Sequence, residues 1–595
     1  MSTLAGAALL AGTLLGTGTA TARAADVPAE FGTDWHDPVT AAPPVDRPHG
    51  RSCRVTLADA RFRDFTPYRG TYTPPKGCGD RWSKVVLRLD GKVKGRQYDR
   101  LGHLDVGGVE ILRTSTPEPS PDGIEWHVEK DVTRYSDTFH GTRDVEMLIG
   151  NVVDETYTGV IDARVTLTFY AGRPAAPAPD RVLTLADTPA GTTLTTPRNS
   201  ERIVAEVYAT GSGGGCEEFW YLTVADPAPY SCKAGQGPYR EVRISVDGRL
   251  AGIAAPYPHV WTGGWSNPFL WHVVPAPRAF DVRPVEYDLT PFAGLLDDGR
   301  PHRVEVSVAG VPAGQPGWTT TVNVLVWRDP HRARLTGALT GSEATDLRNS
   351  SVHTPGTEHR VRTEAGHRLT VSGYLDTSHG RVTSTVTRTL ANTSVHRWTD
   401  GEDTDGLDAT WTDDETVTVG GPGARVGAGV APGHGPDGGT GSTRTTRTHR
   451  TYTMNGATTL GPDDRLRTVL ALGDRASVVT REGGRRTAWS RLDDTYSGDA
   501  AYTLGVPREQ RHAVGVSAER YRLSGPDACY DRSLATVQGT LVQGPLARGG
   551  GPLAPDRWAP ATGSGVLATG SGVLREDGGS PTGDHRVLTE GRGRC

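Results

Sequence analysis

Segments of this chain recur at a spacing of 157 residues, and each recurrence falls where apolar and polar side chains alternate. VVLRLDGK (Val85 to Lys92) answers to VRISVDGR (Val242 to Arg249), VEKDVTRY (Val128 to Tyr135) to VEYDLTPF (Val285 to Phe292), and ARVTLTFY, ending at Tyr170, to TTVNVLVW, ending at Trp327. Alternation with a period of two is the pattern of strands that bury one face. Asp-Gly between such runs is a tight-hairpin signal, which places turns at Asp90-Gly91 and Asp247-Gly248. The chain therefore reads as all-β: two tandem jelly-roll-like antiparallel sandwiches, residues 25–172 and 173–330, followed by a C-terminal β-rich domain over 331–548. The Pro-rich RPAAPAPDR (Arg173 to Arg181) hands the chain from the first sandwich to the second. A Gly-rich loop, 420–441, interrupts the third domain, and an irregular tail occupies 549–595.

Composition agrees and narrows the function classes. A chain of 595 residues exceeds one core and fits about three or four domains. Its 76 glycines and 42 prolines, against 3 methionines and 9 phenylalanines, suit short strands and many turns rather than long helices. A net charge of -5 with 64 basic residues offers no broad electrostatic footprint for nucleic acid or an anionic membrane. The small apolar run Leu4 to Leu15, with Ala22-Arg23-Ala24 after it, reads as a signal peptide over 1–24 and predicts a secreted protein, since the run is too short to span a bilayer. The six cysteines suit that compartment. Nearness in sequence favours Cys53 with Cys78 and Cys216 with Cys232, leaving Cys529 with Cys595. No CxxC or HExxH occurs, and no GxSxG stands in a strand-to-helix context, so neither a metal, a cofactor nor a serine nucleophile is expected.

Within KGRQYDRLGHLDVGGVEILR (Lys94 to Arg113), Asp99 and Arg100 fall in a strand-like run that ought to face a core. A carboxylate there must be paired or hydrogen-bonded. A structural Asp-Arg pair tying two strands and a catalytic acid both satisfy that requirement.

Longer strings favour the second. YTPPKGCGDRWSKVVLRLDGKVKGRQYDR (Tyr72 to Arg100), GGVEILRTSTPEPSPDGIEWHVEKDVTRY (Gly107 to Tyr135), GNVVDETYTGV (Gly150 to Val160), EEFWY (Glu217 to Tyr221), GPYREVRISVDGRLAG (Gly237 to Gly252) and a TGG segment leading to NPFLW (Thr262 to Trp271) resemble the peptide:N-glycosidase A family, in the same order. That resemblance covers roughly residues 30 to 330 and is far more specific than a short motif. SHGRVT (Ser378 to Thr383) also looks like the family's C-terminal region. The family's members are amidases that remove N-linked glycans from asparagine. The resemblance therefore implies a metal-independent hydrolase acting on N-glycopeptides or glycoproteins, a monomer without nucleic-acid or membrane partners, and paired sandwiches like those of the smaller F-type enzymes.

Amide hydrolysis needs water activated against the carbonyl and a proton for the departing nitrogen, work that two carboxylates with separated pKa values can share. By resemblance to the F type, the Asp99-Arg100 pair supplies one, with Arg100 holding Asp99 or polarising the amide oxygen. Glu218, in CEEFWY, is the second, with Glu217 as its competitor. With one acid from each sandwich, the site should lie in the cleft between them. Where the F type carries a third glutamate, this chain offers Gly150-Asn151, and Asn151 becomes a sugar or amide ligand. Trp220, Tyr221, Trp265 and Trp271 are the candidate glycan contacts, although Trp220 and Trp271 fit core positions better, since Trp is highly buried on average. Trp265 is the foremost, because Trp265-Ser266 is inserted where the family runs from TGG into Asn-Pro. A non-catalytic glycan-binding sandwich, and a glycosidase using the same carboxylates, are the alternatives.

Overall fold

The computed structural model describes residues 38–541, apart from 120–122, 186–191, 213–215, 264, 266, 316, 422–442 and 527–528. The signal-peptide segment, nearly all of the Gly-rich loop, the irregular tail and the partner proposed for Cys529 lie outside the described residues.

Strands β1 (Ser52–Phe62), β2 (Tyr68–Tyr72), β3 (Trp82–Lys94), β4 (Leu101–Val106), β5 (Val109–Ser115), β6 (Ile124–Asp131), β7 (Arg143–Ile149) and β8 (Val160–Ala171) form the first sandwich. Its sheets run β1-β8-β3-β6 and β2-β7-β4-β5. The second sandwich comprises β9 (Arg181–Leu185), β10 (Thr192–Leu194), β11 (Ser200–Gly211), β12 (Glu241–Val246), β13 (Arg249–Ala254), β14 (Val285–Asp288), β15 (His302–Ala309) and β16 (Trp318–Arg328). Its orders, β9-β16-β11-β14 and β10-β15-β12-β13, reproduce those of the first with every strand shifted by eight.

The 157-residue spacing holds for β6 with β14 and for β8 with β16, but the Asp-Gly pair misleads. Asp90-Gly91 is not a turn. It lies inside β3, where Asp90 pairs with His127 and Arg164, and Gly91 is small because the Trp126 indole covers it: a Cβ would stand 2.4 Å from Trp126 Cζ2. The counterpart of the Asp247-Gly248 turn (φ 49° and 75°) is Gly107-Gly108 (φ 60° and 78°), joining β4 to β5 with both residues at positive φ, as the favoured two-residue hairpin requires.

From Thr336 to Leu541 the chain builds an eleven-stranded antiparallel sheet whose longest strands, Glu358–Thr377 and Gly380–Thr399, alternate buried and exposed residues. One face lies on the second sandwich, so that Trp220, Val224 and Tyr257 share a core with Trp398, Trp411, Tyr452 and Leu470. The first sandwich has its own core, which Val204, Leu325, Trp271 and Val273 of the second enter from across the seam. The seam is polar where it must be specific. Arg113 forks onto Glu110 (2.7 and 2.8 Å) and donates to Tyr208 O and Thr210 Oγ1, while Asn323 bonds both backbone groups of Glu110. Disulfides join Cys53 to Cys78 and Cys216 to Cys232, with Cα separations of 5.9 and 5.7 Å.

Between β13 and β14 runs a connection, 255–284, that is buried along most of its length. A buried loop must satisfy its backbone. This one does so against all three bodies: Val282 N donates to Arg113 O and Ala279 O accepts from Ser115 N, while His259 O accepts from Tyr221 Oη and Leu270 O from Tyr496 Oη.

Candidate active site

Asp99 and Arg100 stand just ahead of β4 rather than within a strand, which corrects the reading of this run. The β4–β5 ladder ends at Leu101. One residue earlier Thr116 N still donates to Arg100 O (2.9 Å), but the return bond goes from Arg100 N to the Thr116 hydroxyl (2.9 Å). A side chain thus closes the ladder, and Asp99 turns off it toward the seam. There Gly263 N, from the buried loop of the second sandwich, donates to Asp99 Oδ2 (3.0 Å).

The same loop brings up a carboxylate that sequence reasoning missed. Thr262 Oγ1 accepts from Glu118 N (3.0 Å) and donates to Thr116 O (3.2 Å), clipping the segment after β5 in place. A Cβ built on Gly263 would lie 2.9 Å from Asp99 Oδ1 and 3.0 Å from Glu118 Oε2, so the two acids face one another over that glycine. The signal was present as a glutamate fixed between Pro117 and Pro119 directly after a fully buried strand.

Glu218 joins the group from the second sandwich, near enough to feel the charge of Asp99, on a short 3-10 turn, Glu217–Leu222, that follows β11 and begins next to the disulfide-bonded Cys216. The neighbouring Glu217 is committed elsewhere. It is buried, takes a two-pronged bond from Arg240 (2.9 and 2.7 Å) and accepts from Trp318 Nε1 (2.6 Å). Glu218 makes no hydrogen bond or ion pair among the described residues, which leaves its carboxyl available.

Burial raises all three acids, and they also act on each other. Desolvation, followed by the charge of Asp99, raises Glu118 to about 8 and Glu218 to about 7. Desolvation raises Asp99 as well, opposed by the Gly263 N–H and then by the Arg100 charge. Asp99 alone of the three has a hydrogen bond to its anionic form and is the member that ionises first. A site with one carboxylate and two proton-bearing neighbours near neutral pH is suited to acid–base work.

Arg100 does not clasp Asp99. Its Nε donates to Gln97 Oε1 (3.0 Å), and Gln97 is held in turn by Val152 O and Gly159 O, so the guanidinium lies 5.9 Å from the Tyr157 ring and acts on Asp99 through space. Asn151 is fully buried and saturated, donating to Phe62 O and Gly159 O and accepting from Val152 N, which leaves nothing for a sugar. Trp220, Tyr221, Trp265 and Trp271 are all core residues, none more than 7% exposed. Trp265 in particular is not a free loop tip, because its ring rests on Gly456 of the C-terminal sheet. The exposed large aromatics among the described residues stand on the first sandwich instead: Tyr98 (44%), next to Asp99 and 5.2 Å from Tyr157, and Phe65 (67%), over Gly150.

Among the described residues one group has metal-ligand geometry, Glu201, Asp329 and His379, with one ligand atom of each within 4.8 Å of the others. It sits at the tip of the hairpin Glu358–Thr377/Gly380–Thr399, where Asp329 accepts from Ser378 N, Ser378 Oγ and His331 N, which accounts for its burial without an ion. A cavity of about 600 Å³ lined by Asp463, Arg465, Thr503, Gln510 and His512 contains none of the three clustered acids.

Residues 38–345 match the family model for peptide N-acetyl-beta-D-glucosaminyl asparaginase amidase A. A peptide-N4-(N-acetyl-beta-glucosaminyl)asparagine amidase A from Prunus dulcis is 29% identical over 383 residues, covering 57% of this chain and 66% of the relative, so the chain spans just under two thirds of that protein's length. Among solved structures, PNGase F, a glycosylasparaginase from Flavobacterium meningosepticum, aligns over 47% of this chain and 96% of its own at 13% identity and a TM-score of 0.33. PNGF-II aligns over 47% and 66% at 12% identity and a TM-score of 0.34.

Proposed function

Since the chain belongs to the peptide N-acetyl-beta-D-glucosaminyl asparaginase amidase A family, we propose that it is a secreted amidase that cuts the bond between an N-linked glycan and the asparagine of a glycopeptide or glycoprotein. The observation that carries this reading is the convergence of Asp99, Glu118 and Glu218 from both sandwiches, with burial and mutual charge holding protons on two of them.

The chemistry follows from that division. Asp99, as the carboxylate, takes a proton from water as its oxygen attacks the side-chain carbonyl carbon. The carbon–nitrogen bond then breaks as the nitrogen receives a proton from Glu118 or Glu218. The glycan leaves as a glycosylamine and the asparagine becomes aspartate. Arg100, positioned by Gln97, faces the charge that builds on the carbonyl oxygen. Contact with sugar rings falls to Tyr98, which precedes Asp99 in the chain, to its neighbour Tyr157, and to Phe65 over Gly150, which offer flat apolar faces. The protein acts as a monomer without nucleic-acid or membrane partners. No helix among the described residues is long and apolar enough to cross a membrane.

Incubation with a defined N-glycopeptide, followed by peptide mass, tests the reading. Acid–base hydrolysis of the amide predicts loss of the whole glycan and a gain of about one dalton as asparagine becomes aspartate. Asp99→Asn should lower kcat about 100-fold to 10,000-fold. A glycopeptide bound but returned intact would make the protein a glycan binder, and a peptide retaining one GlcNAc would make it a glycosidase; either result refutes the amidase.

A further inference from the structure

The Thr262-Gly263 turn that holds Asp99 and Glu118 does not stand on the sandwiches alone. Two residues beyond it Trp265 takes a left-handed backbone (φ 53°), which a bulky residue adopts only when its surroundings impose it. The surroundings are the C-terminal sheet. Its strand Thr443–Gly461 carries Gly456 under the Trp265 ring, so closely that a Cβ there would fall 1.6 Å from Cζ3 and 2.2 Å from Cη2. Gly456 and Gly498 are both in register with Leu470, on its two flanking strands, which makes a notch in an otherwise side-chain-covered face. The loop enters that notch twice. Trp265 lies on Gly456, while Leu270 lies on Gly498, its Cδ2 3.0 Å from the Cβ position, and Leu270 O accepts from Tyr496 Oη. Between them Asn267 Nδ2 donates to Ala500 O (2.9 Å), and Phe269 packs 5.2 Å from Tyr502. A connection between two strands of the C-terminal sheet also reaches the acids electrostatically, since the charge of Arg511 draws Glu118 down against its burial.

We infer that Trp265 is a positioning residue: seated in the Gly456–Gly498 notch, it lets the C-terminal sheet set the turn whose Gly263 N–H and bare Cα hold Asp99 and Glu118 at working distance. The eleven-stranded sheet is then part of the catalytic apparatus rather than an appended module. The inference rests on the amidase reading.

The test uses the full chain and a defined N-glycopeptide, with W265A, W265F, G456A and the double variant W265A/G456A. Displacing the turn should lower kcat about tenfold or more in W265A and G456A with KM within about twofold of the parent, because misplacement of reacting groups costs rate rather than binding. Both variants should also move the alkaline limb of the pH–rate profile, which a purely structural loss would not. W265F should recover most of the rate, and the double variant should be no slower than the worse single one, since both remove the same contact. Unchanged kcat and pH profile in W265A and G456A would overturn the inference, as would losses that multiply in the double variant or that vanish when assayed well below each variant's Tm. If W265A fails to fold, G456A and W265F decide alone, by the same kcat and pH criteria. A parent chain that leaves the glycopeptide amide intact refutes the amidase reading, whereas an active parent with indifferent variants refutes only the role of Trp265.

Discussion

Gly263→Ala separates the catalytic geometry from the fold more cleanly than removal of any acid. The backbone at Gly263 is not at positive φ, so alanine adopts it without conformational strain. Reducing the freedom of the unfolded chain then favours folding by about 0.4–1 kcal/mol. The methyl group nevertheless lands 2.9 Å from Asp99 Oδ1 and 3.0 Å from Glu118 Oε2, where ordinary contact begins at 3.4 Å. Each oxygen must retreat by roughly half an ångström, the two acids part by up to about 1 Å, and misplacement on that scale costs about 100-fold in rate. The added methyl also displaces solvent from both acids and pushes their pKa values higher still. The expected variant has a Tm equal to or slightly above the parent, a KM near the parent's and a kcat lowered about 10-fold to 100-fold. Steady-state kinetics on a defined glycopeptide, paired with thermal unfolding of the same preparation, measures all three. A kcat within twofold of the parent would show that the two acids do not work across Gly263, and a large fall in Tm would show that the glycine serves the fold.

Two further predictions rest on the division of labour. Glu217→Ala strands the buried Arg240 guanidinium and should destabilise by about 3–5 kcal/mol, whereas Glu218→Gln should leave Tm nearly unchanged and reduce kcat about 100-fold or more; the reverse pattern in unfolding and kinetic assays would exchange the two roles. In the pH–rate profile, activity should fall as pH rises through about 7 to 8, because Glu218 and Glu118 lose the protons they supply there. The same raised carboxyls make the native state bind more protons than the unfolded chain between the ordinary carboxyl range and about 8, so stability should also decline as pH climbs through that window. An alkaline limb unchanged in Glu118→Gln and Glu218→Gln would remove both from proton donation.

Much of the candidate site was legible, in uneven ways. Asp99 stood out because a charged group in an apolar, patterned string needs a reason, and Glu218 through the family resemblance of CEEFWY. Glu118 did not, since a glutamate in a Pro-rich stretch after β5 reads as an ordinary exposed turn until Thr262 and Gly263 are seen closing over it. Trp265 misled in the opposite direction. An inserted Trp265 in a Gly-rich segment suggests a free loop tip, and the notch that buries it is made by Gly456 and Gly498, on strands far along the chain. Asn151 looked available only because its partners, Phe62 O and Gly159 O, are backbone groups that no side-chain pattern announces.

Local pattern determined the all-β architecture, its duplication and the near-neighbour disulfides, because strand alternation and short-loop closure are written within a few residues. The true equivalence of Gly107-Gly108 with Asp247-Gly248, the commitment of Glu217 to Arg240, and the meeting of Asp99 and Glu118 over Gly263 were decided only by tertiary structure. Each depends on which distant groups share a buried volume, and it is there, away from water, that partners, charge and proton affinity are settled.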